Sequence, residues 1–247
     1  PARRIVTLSP HLAELVFSAG AGAHLAGVVA FSDHPPAVRR LPRVGDAFRV
    51  DYEAVAALRP DLILAWTSGN PPETLQRLRD LGFRVVTLEP AALEDIGAHI
   101  AAIGAMAGTA AIANDASRQF QARLARLRAR PTPASPVRVF VQLSERPYFT
   151  VTDRHFLGQG LRLCGGRNIF GDLPGLTAIV SIESIIEAAP EAIIASDMGG
   201  EGDSPLAGWQ AWQSVPAVAR GRLYVLDADL LSRPSVRILD GIEGLCG

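Results

Sequence analysis

Short apolar runs alternate with amphipathic stretches along most of the chain. Runs such as LILAW and AIIAS are brief and uninterrupted, which is typical of strands buried on both faces of a parallel sheet. The amphipathic stretches before them have helical spacing and stop at a proline followed by an acidic residue, where a helix cannot continue. This order of elements predicts an α/β fold built from strand–helix–strand units with right-handed crossovers.

The same pieces occur twice, in the same order. Residues 51–66 (DYEAVAALRPDLILAW) align with residues 181–196 (SIESIIEAAPEAIIAS), and the alignment pairs Glu53 with Glu183 and Pro60 with Pro190. RIVTLSP at 4–10 is echoed by RVFVQLS at 138–144, and GFRVVTLEP at 82–90 by GRLYVLDAD at 221–229. Three matches in one order predict two similar Rossmann-like lobes, each with a parallel sheet.

A stretch without strand signals, residues 93–130, separates the two halves of the repeat. Apolar residues recur there at helical spacing, and a second helical run from about residue 110 stops at the proline-rich segment 131–136. A helix of that length would be roughly 30 Å long. We expect an N-terminal lobe at 1–108, a rigid connecting helix at 109–132 and a C-terminal lobe at 133–247. The alternative is two helices packed on one continuous sheet.

Charge and hydropathy exclude two classes of partner. The net charge is −1, and the 24 basic residues are scattered arginines, so there is no basic patch for nucleic acid. No apolar run approaches the roughly 18 residues of a membrane span.

The start at Pro1, without methionine, favours a trimmed chain and leaves export and a lipid anchor open. Cys164 and Cys246 are either buried free thiols or a disulfide, which would indicate an oxidising compartment.

Catalytic and metal-binding motifs are missing from the sequence. It contains no G-x-S-x-G elbow, P-loop, H-E-x-x-H or C-x-x-C. The five histidines lack metal-ligand spacing, and the glycines at 158, 160, 165 and 166 favour turns. We therefore expect no catalytic residue, metal or catalytic cofactor. An α/β enzyme such as a hydrolase or chelatase is the alternative, with Ser9 and Ser144 at strand ends but no histidine assignable to either.

Aromatic and polar residues follow several predicted strands. Because ligands of parallel α/β sheets bind at the carboxyl ends of the strands, these residues predict an aromatic cleft for a large, flat, partly apolar ligand. They are Phe31, Trp66, Tyr148, Phe149 and Asp229. Trp212 and Tyr224 are assigned to packing, and Trp209 to either packing or the cleft.

Several of these motifs resemble those of a known family from about residue 4 to residue 246. They are RIVTLSP at 4–10, FSDHPP at 31–36, ALRPDLILAW at 57–66, LCGGRNIF at 163–170, VSIESI at 180–185, and SRPSVRI at 232–238 preceded by Asp229. Together they resemble the cobalamin-binding periplasmic proteins of bacterial vitamin B12 importers. These form a branch of the helix-linked metal-chelate and siderophore binding proteins, the class III periplasmic binding proteins.

The resemblance implies a function and a set of site residues. It implies a monomeric, non-catalytic protein of the periplasm that delivers cobalamin, or a related corrinoid, to the permease dimer of an ABC importer. Cys164 and Cys246 match a disulfide, and Glu53 and Glu183 match one acid per lobe that docks on the permease. The residues at ligand-lining positions are Phe31, Trp66, Asp229 and Arg233, and we add Phe48, Tyr148 and Phe149 as further ligand contacts.

Two departures from this family keep other ligands open. The family has a tryptophan near position 47, where this chain has Ala47 followed by Phe48, and an aromatic residue near Thr177. Haem or a ferric siderophore is therefore the alternative ligand. Haem would need an axial ligand, for which the sequence offers Tyr148 and His34.

Overall fold

The two halves of the repeat fold as two compact units, residues 1–122 and 123–247. The structure is a computed structural model that describes residues 1–197 and 204–246, with residues 231 and 232 as backbone only. Across the described ranges, no helix is both long and apolar enough to cross a membrane. In the same ranges, no three histidine, cysteine or acidic side chains group as a metal site.

The first unit is built around a parallel four-stranded sheet in the order β2-β1-β3-β4. Its strands are β1 Ile5–Thr7, β2 Leu25–Val28, β3 Leu62–Ala65 and β4 Val85–Thr87. Its helices are α1 Pro10–Ser18, α2 Tyr52–Leu58, α3 Pro72–Asp80 and α4 Leu93–Ala107, and α5 Ala110–Arg128 begins in this unit. Strand β3 is buried along its whole length, as its uninterrupted apolar run predicts.

The second unit repeats this sheet in the order β8-β5-β10-β11 and adds a second sheet. Its strands are β5 Val137–Gln142, β6 Ser144–Glu145, β7 Tyr148–Val151, β8 Gly166–Asn168, β9 Thr177–Val180, β10 Ala192–Asp197 and β11 Leu223–Asp227. Its helices are α6 Phe156–Leu163, α7 Ile182–Ala188, α8 Pro216–Ala219, α9 Ala228–Ser232 and α10 Ile238–Leu245. The added sheet is antiparallel, in the order β6-β7-β9, and the sequence pattern did not predict it.

Hydrogen bonds at the strand entrances match between the two units. In the first, the backbone N–H groups of Arg3 and Arg4 donate to the Asp61 carboxylate. In the second, the backbone N–H of Arg138 donates to the carboxylate of Glu191. Each acid follows the proline that ends α2 or α7. The Pro-acid pair therefore has the same two roles in both units. The proline ends a helix, and the acid joins the start of the next strand to the neighbouring strand of the sheet.

Each unit packs its apolar residues on its own sheet. The first unit has a buried cluster that includes Val6, Ile63 and Leu78. The second has one centred on Phe140, Ile193 and Trp209. The glycines at 158 and 160, expected in turns, lie inside α6. Both positions are closely packed, since a side-chain carbon on Gly158 would meet the Thr152 carbonyl oxygen and one on Gly160 would meet Ile242 of α10.

Candidate functional site

Trp66 lies directly after β3, at the carboxyl end of the parallel sheet of the first unit. Its side chain is partly buried, and polar groups hold it on several sides. The indole Nε1–H donates to Glu89 Oε1 at 3.2 Å, and the edge of the His11 ring packs against it with centroids 5.1 Å apart. The position of Trp66 agrees with the sequence prediction, whereas Glu89 and His11 were not predicted as its neighbours.

A buried asparagine joins this tryptophan to two other segments of the same unit. Asn70 accepts the backbone N–H of Trp66 at 2.7 Å. Its amide Nδ2 donates to the carbonyl oxygens of Leu8 and Ala47, each at 2.9 Å. The end of β1, the end of β3 and the loop before Phe48 are thus tied together by one side chain. Nothing in the sequence marks this role of Asn70, because the two carbonyl groups that it joins to Trp66 are 23 and 62 residues away.

Phe31 projects from a strained turn that follows β2. Its ring is 80% exposed, and its backbone has φ +63°, a left-handed conformation that non-glycine residues rarely adopt. The Arg43 guanidinium braces the turn by donating to the carbonyl oxygens of Val29 and Ser32, at 3.3 and 2.8 Å. Strain of this kind concentrates at binding sites, where the surroundings hold an unfavourable conformation.

A second turn, held by hydrogen bonds, carries Phe48. The Asp46 Oδ1 atom accepts the backbone N–H groups of Phe48 and Arg49, each at 2.7 Å. These hydrogen bonds, first from Arg49 and then from Phe48, hold the pKa of Asp46 below its usual value. Phe48 is 71% exposed, and the backbone N–H of Ala30 donates to Gly45 at the start of the same loop. The turns of Phe31 and Phe48 are therefore linked through backbone hydrogen bonds.

Asp229 and Arg233 form an ion pair in the second unit. Arg233 Nη2 lies 2.9 Å from Asp229 Oδ1, and the arginine side chain is the more buried of the two. Helix α9, which carries Asp229, starts at the carboxyl end of β11, where Asp227 Oδ1 accepts the Asp229 backbone N–H at 2.8 Å. Asp229 thus lies at the strand end that the sequence predicts, and Arg233 lies just after the short helix α9.

Tyr148 and Phe149 do not follow the end of a parallel strand, so that part of the expectation was wrong. Both belong to the antiparallel strand β7, where Phe149 pairs with Ile179 of β9. The Tyr148 ring packs against Trp209 with centroids 5.6 Å apart. Burial, followed by the charge of Glu145, raises the pKa of Tyr148.

The three aromatic residues that the sequence analysis assigned wholly or partly to packing divide between core and surface. Trp209 is buried, and its Nε1–H donates to Gln142 Oε1 at 2.6 Å, so it belongs to the core. Trp212 packs against the same cluster, as expected. Tyr224 was assigned to packing, but it is half exposed. It lines a cavity of about 260 Å³ beside Cys164.

A serine–histidine pair bears on the enzyme alternative. Ser9 Oγ lies 2.6 Å from His11 Nδ1, although the sequence assigned no histidine to that serine. The two residues are 1% and 3% exposed, so no substrate can reach the hydroxyl. Ser144, the other candidate nucleophile, donates its hydroxyl to the Pro147 carbonyl oxygen. The Ser9–His11 pair is therefore part of the support beneath Trp66.

Glu53 and Glu183 occupy equivalent positions in the first turns of α2 and α7, and both are exposed. Hydrogen bonds from its own backbone N–H and from the Ser181 hydroxyl hold the pKa of Glu183 below its usual value. A surface depression of about 640 Å³ adjoins Glu53 and is also lined by Tyr52, Arg77 and Phe83. The first-turn position alone would favour an acid, because it faces the positive end of the helix dipole.

Cys164 and Cys246 form a disulfide, which confirms the pairing that the family resemblance implied. Cys164 follows the end of α6 and Cys246 the end of α10, and their Cα atoms are 4.7 Å apart. The bridge closes a span of 82 residues within the second unit.

Known proteins resemble this chain over its whole length. The family described as periplasmic binding protein matches residues 5–230. The vitamin B12-binding protein of Vibrio cholerae serotype O1 is 36% identical over 247 residues, which are 100% of this chain and 88% of that protein.

Solved structures extend the likeness to the fold. The crystal structure of the periplasmic vitamin B12-binding protein of Vibrio cholerae, 36% identical, superposes with a TM-score of 0.89 and covers 100% of this chain and 96% of that one. A periplasmic heme-binding protein from Pseudomonas aeruginosa, 27% identical, gives 0.84 with coverages of 100% and 92%. The α/β fold with two similar parallel sheets is confirmed, and the chain belongs to the periplasmic binding protein family.

Proposed function

We propose that this chain is a periplasmic receptor that binds cobalamin or a related corrinoid and delivers it to an ABC importer. The observation that carries the proposal is the 36% identity to the vitamin B12-binding protein of Vibrio cholerae, which extends over the entire chain. Its role is binding without catalysis, and the corrinoid is cargo rather than cofactor.

The aromatic and charged side chains of the candidate site suit a corrinoid. Flat aromatic rings such as Phe31, Phe48 and Trp66 can cover the corrin ring or its nucleotide base. Carboxylate and guanidinium groups can bind the amide side chains and the phosphate of the same ligand. The proposed ligand contacts are Phe31, Phe48 and Trp66 in the first unit, and Tyr148, Phe149, Asp229 and Arg233 in the second.

Haem is the second candidate ligand, because a heme-binding protein of known structure is 27% identical over the whole chain. Haem needs an axial ligand on its iron. For that role the sequence offers Tyr148, which packs partly against the core of the second unit, and His34, which is exposed beside Pro35 and Pro36. The higher identity to the vitamin B12-binding protein therefore favours a corrinoid over haem or a ferric siderophore.

Calorimetric titration tests this proposal. We expect one cyanocobalamin to bind per chain with a submicromolar dissociation constant, and hemin to bind much more weakly. Trp66→Ala should weaken cyanocobalamin binding by roughly 1–3 kcal/mol, because stacking and apolar burial are lost. No heat with cyanocobalamin at tens of micromolar, or tighter binding of hemin, would contradict the corrinoid assignment.

The two exposed acids give the proposed docking surface. A monomer with one carboxylate per unit, at equivalent positions, can register on a two-fold permease dimer. We propose that residues 109–132, which include helix α5, serve as the rigid connector between lobes 1–108 and 133–247. The double variant Glu53→Arg/Glu183→Arg should abolish uptake in vesicles that contain the importer while cyanocobalamin affinity stays unchanged. Loss of affinity would instead place these acids in the ligand site or the fold.

A further inference from the structure

Three hydrogen-bond donors converge on Glu89, an exposed residue that follows β4. Its Oε1 atom accepts the Trp66 indole N–H at 3.2 Å and the Ser68 hydroxyl at 2.9 Å. Its Oε2 atom accepts the Ser68 backbone N–H at 2.7 Å. One exposed carboxylate thus holds both the tryptophan ring and the loop that follows it.

Other groups hold the rest of the indole. The His11 ring meets it edge-on, at an interplanar angle of 88°. The backbone of Gly69 runs against its six-membered ring so closely that a side-chain carbon on Gly69 would overlap with Trp66 Cε3 and Cζ3. The pyrrole nitrogen is the remaining point of attachment, and there the partner is Glu89.

We propose that Glu89 is a positioning residue of the ligand site, which fixes the rotation of the Trp66 indole before the ligand arrives. An aromatic ring that is already fixed loses less conformational entropy on binding, so affinity rises without a new ligand contact. The inference rests on the proposed function only in assuming that Trp66 contacts the ligand.

The chemistry requires a carboxylate at this position. Both oxygens of Glu89 accept hydrogen bonds, and donors face each of them. A glutamine has the same shape, but its NH₂ group would face a backbone or indole N–H, donor against donor. Glu89→Gln should therefore release either the ring or the Ser68 backbone, and Glu89→Ala should release both.

A double-mutant cycle with cyanocobalamin tests the positioning role. We expect Glu89→Ala to weaken binding about threefold to tenfold in the wild-type background, the size expected when one side chain must be ordered on binding. In a Trp66→Phe background, which lacks the indole N–H, the same change should alter affinity by about twofold or less. Equal losses in the two backgrounds would show that Glu89 acts independently of Trp66 and would overturn the proposal.

A ligand-free measurement keeps this test separate from the proposed function. The contribution of Trp66 to the fluorescence is the difference between the wild-type protein and Trp66→Phe. Glu89→Ala, which removes both acceptors, should make that contribution more accessible to acrylamide and lower its anisotropy. Glu73→Gln, which removes a charge from an exposed position in α3, is the matched control and should change neither. Unchanged quenching in Glu89→Ala would refute the positioning role even if cyanocobalamin binds, and a clear change would support it even if cyanocobalamin does not.

Discussion

His155 couples the stability of the second unit to pH. It is the residue before α6, and its ring Nδ1 accepts the backbone N–H of Leu157 at 3.1 Å. That bond requires an unprotonated nitrogen, and burial lowers the pKa of His155 to about 4. Because an unfolded histidine binds a proton near pH 6.5, the unfolded chain holds more protons than the folded one between those values.

The stability contributed by a neutral His155 is complete above about pH 6.5. As the pH falls toward 4, the free energy of unfolding decreases by up to about 3 kcal/mol. His155→Asn, which can cap a helix without titrating, should reduce the fall in unfolding free energy between about pH 7.5 and about pH 5. Part of the fall should remain, because burial also lowers the pKa of His99. Urea denaturation at the two pH values measures the free energy of unfolding. The same fall between those values in the variant and the wild type would refute the role of His155.

At the residue level, the sequence predicted the strand-end position of Trp66 but not the side chains that support it. Trp66 was predictable because it ends an apolar run that could only be a buried strand. Glu89 and His11 were not, because the fold brings them to Trp66 from distant parts of the chain, and Asn70 was not, because its bonds to Leu8 and Ala47 are equally long-range. Tyr148 was placed wrongly, since the segment after β5 reverses into an antiparallel strand that local residue types do not specify.

Helices α2 and α7 show how far the repeat extends at the level of elements. Asp51 caps the first and Ser181 the second, each accepting the backbone N–H three residues ahead, at 2.9 and 3.2 Å. Each helix then ends in a left-handed residue, Arg59 or Ala189, both at φ +46°. The Pro-acid pair that follows predicted both ends from the sequence. The short strands β6, β7 and β9 lacked such a signal, and β7 pairs with a segment about 30 residues later.

The left-handed residues that follow α2 and α7 predict that glycine at these positions will stabilise the protein. A non-glycine residue in this conformation costs about 1–2 kcal/mol, which glycine avoids. Arg59→Gly and Ala189→Gly should each raise the unfolding free energy by about 0.5–1 kcal/mol. The control is Ala57→Gly inside α2, which should lower it by about 1 kcal/mol through helix propensity. If either left-handed substitution destabilised the protein as much as Ala57→Gly does, the assigned backbone conformation would be wrong.

At the scale of the whole molecule, duplication explains both the fold and the proposed role. The two units have matching strand orders, and each carries an exposed acid in the first turn of the equivalent helix, Glu53 of α2 and Glu183 of α7. The internal repeat made this arrangement predictable, because the residues that end helices and start strands match between the two halves of the sequence. The ligand was less predictable, because Phe48 stands beside the position where the resembled family has a tryptophan, and solved relatives bind either vitamin B12 or heme.

The nature of the bound ligand tests the account most directly. The protein should be purified from its native host under non-denaturing conditions, and the absorption spectrum and mass of whatever co-purifies should be measured. We predict a broad corrin spectrum and the mass of a cobalt corrinoid. A Soret band with the mass of haem, or the mass of a ferric siderophore, would contradict it.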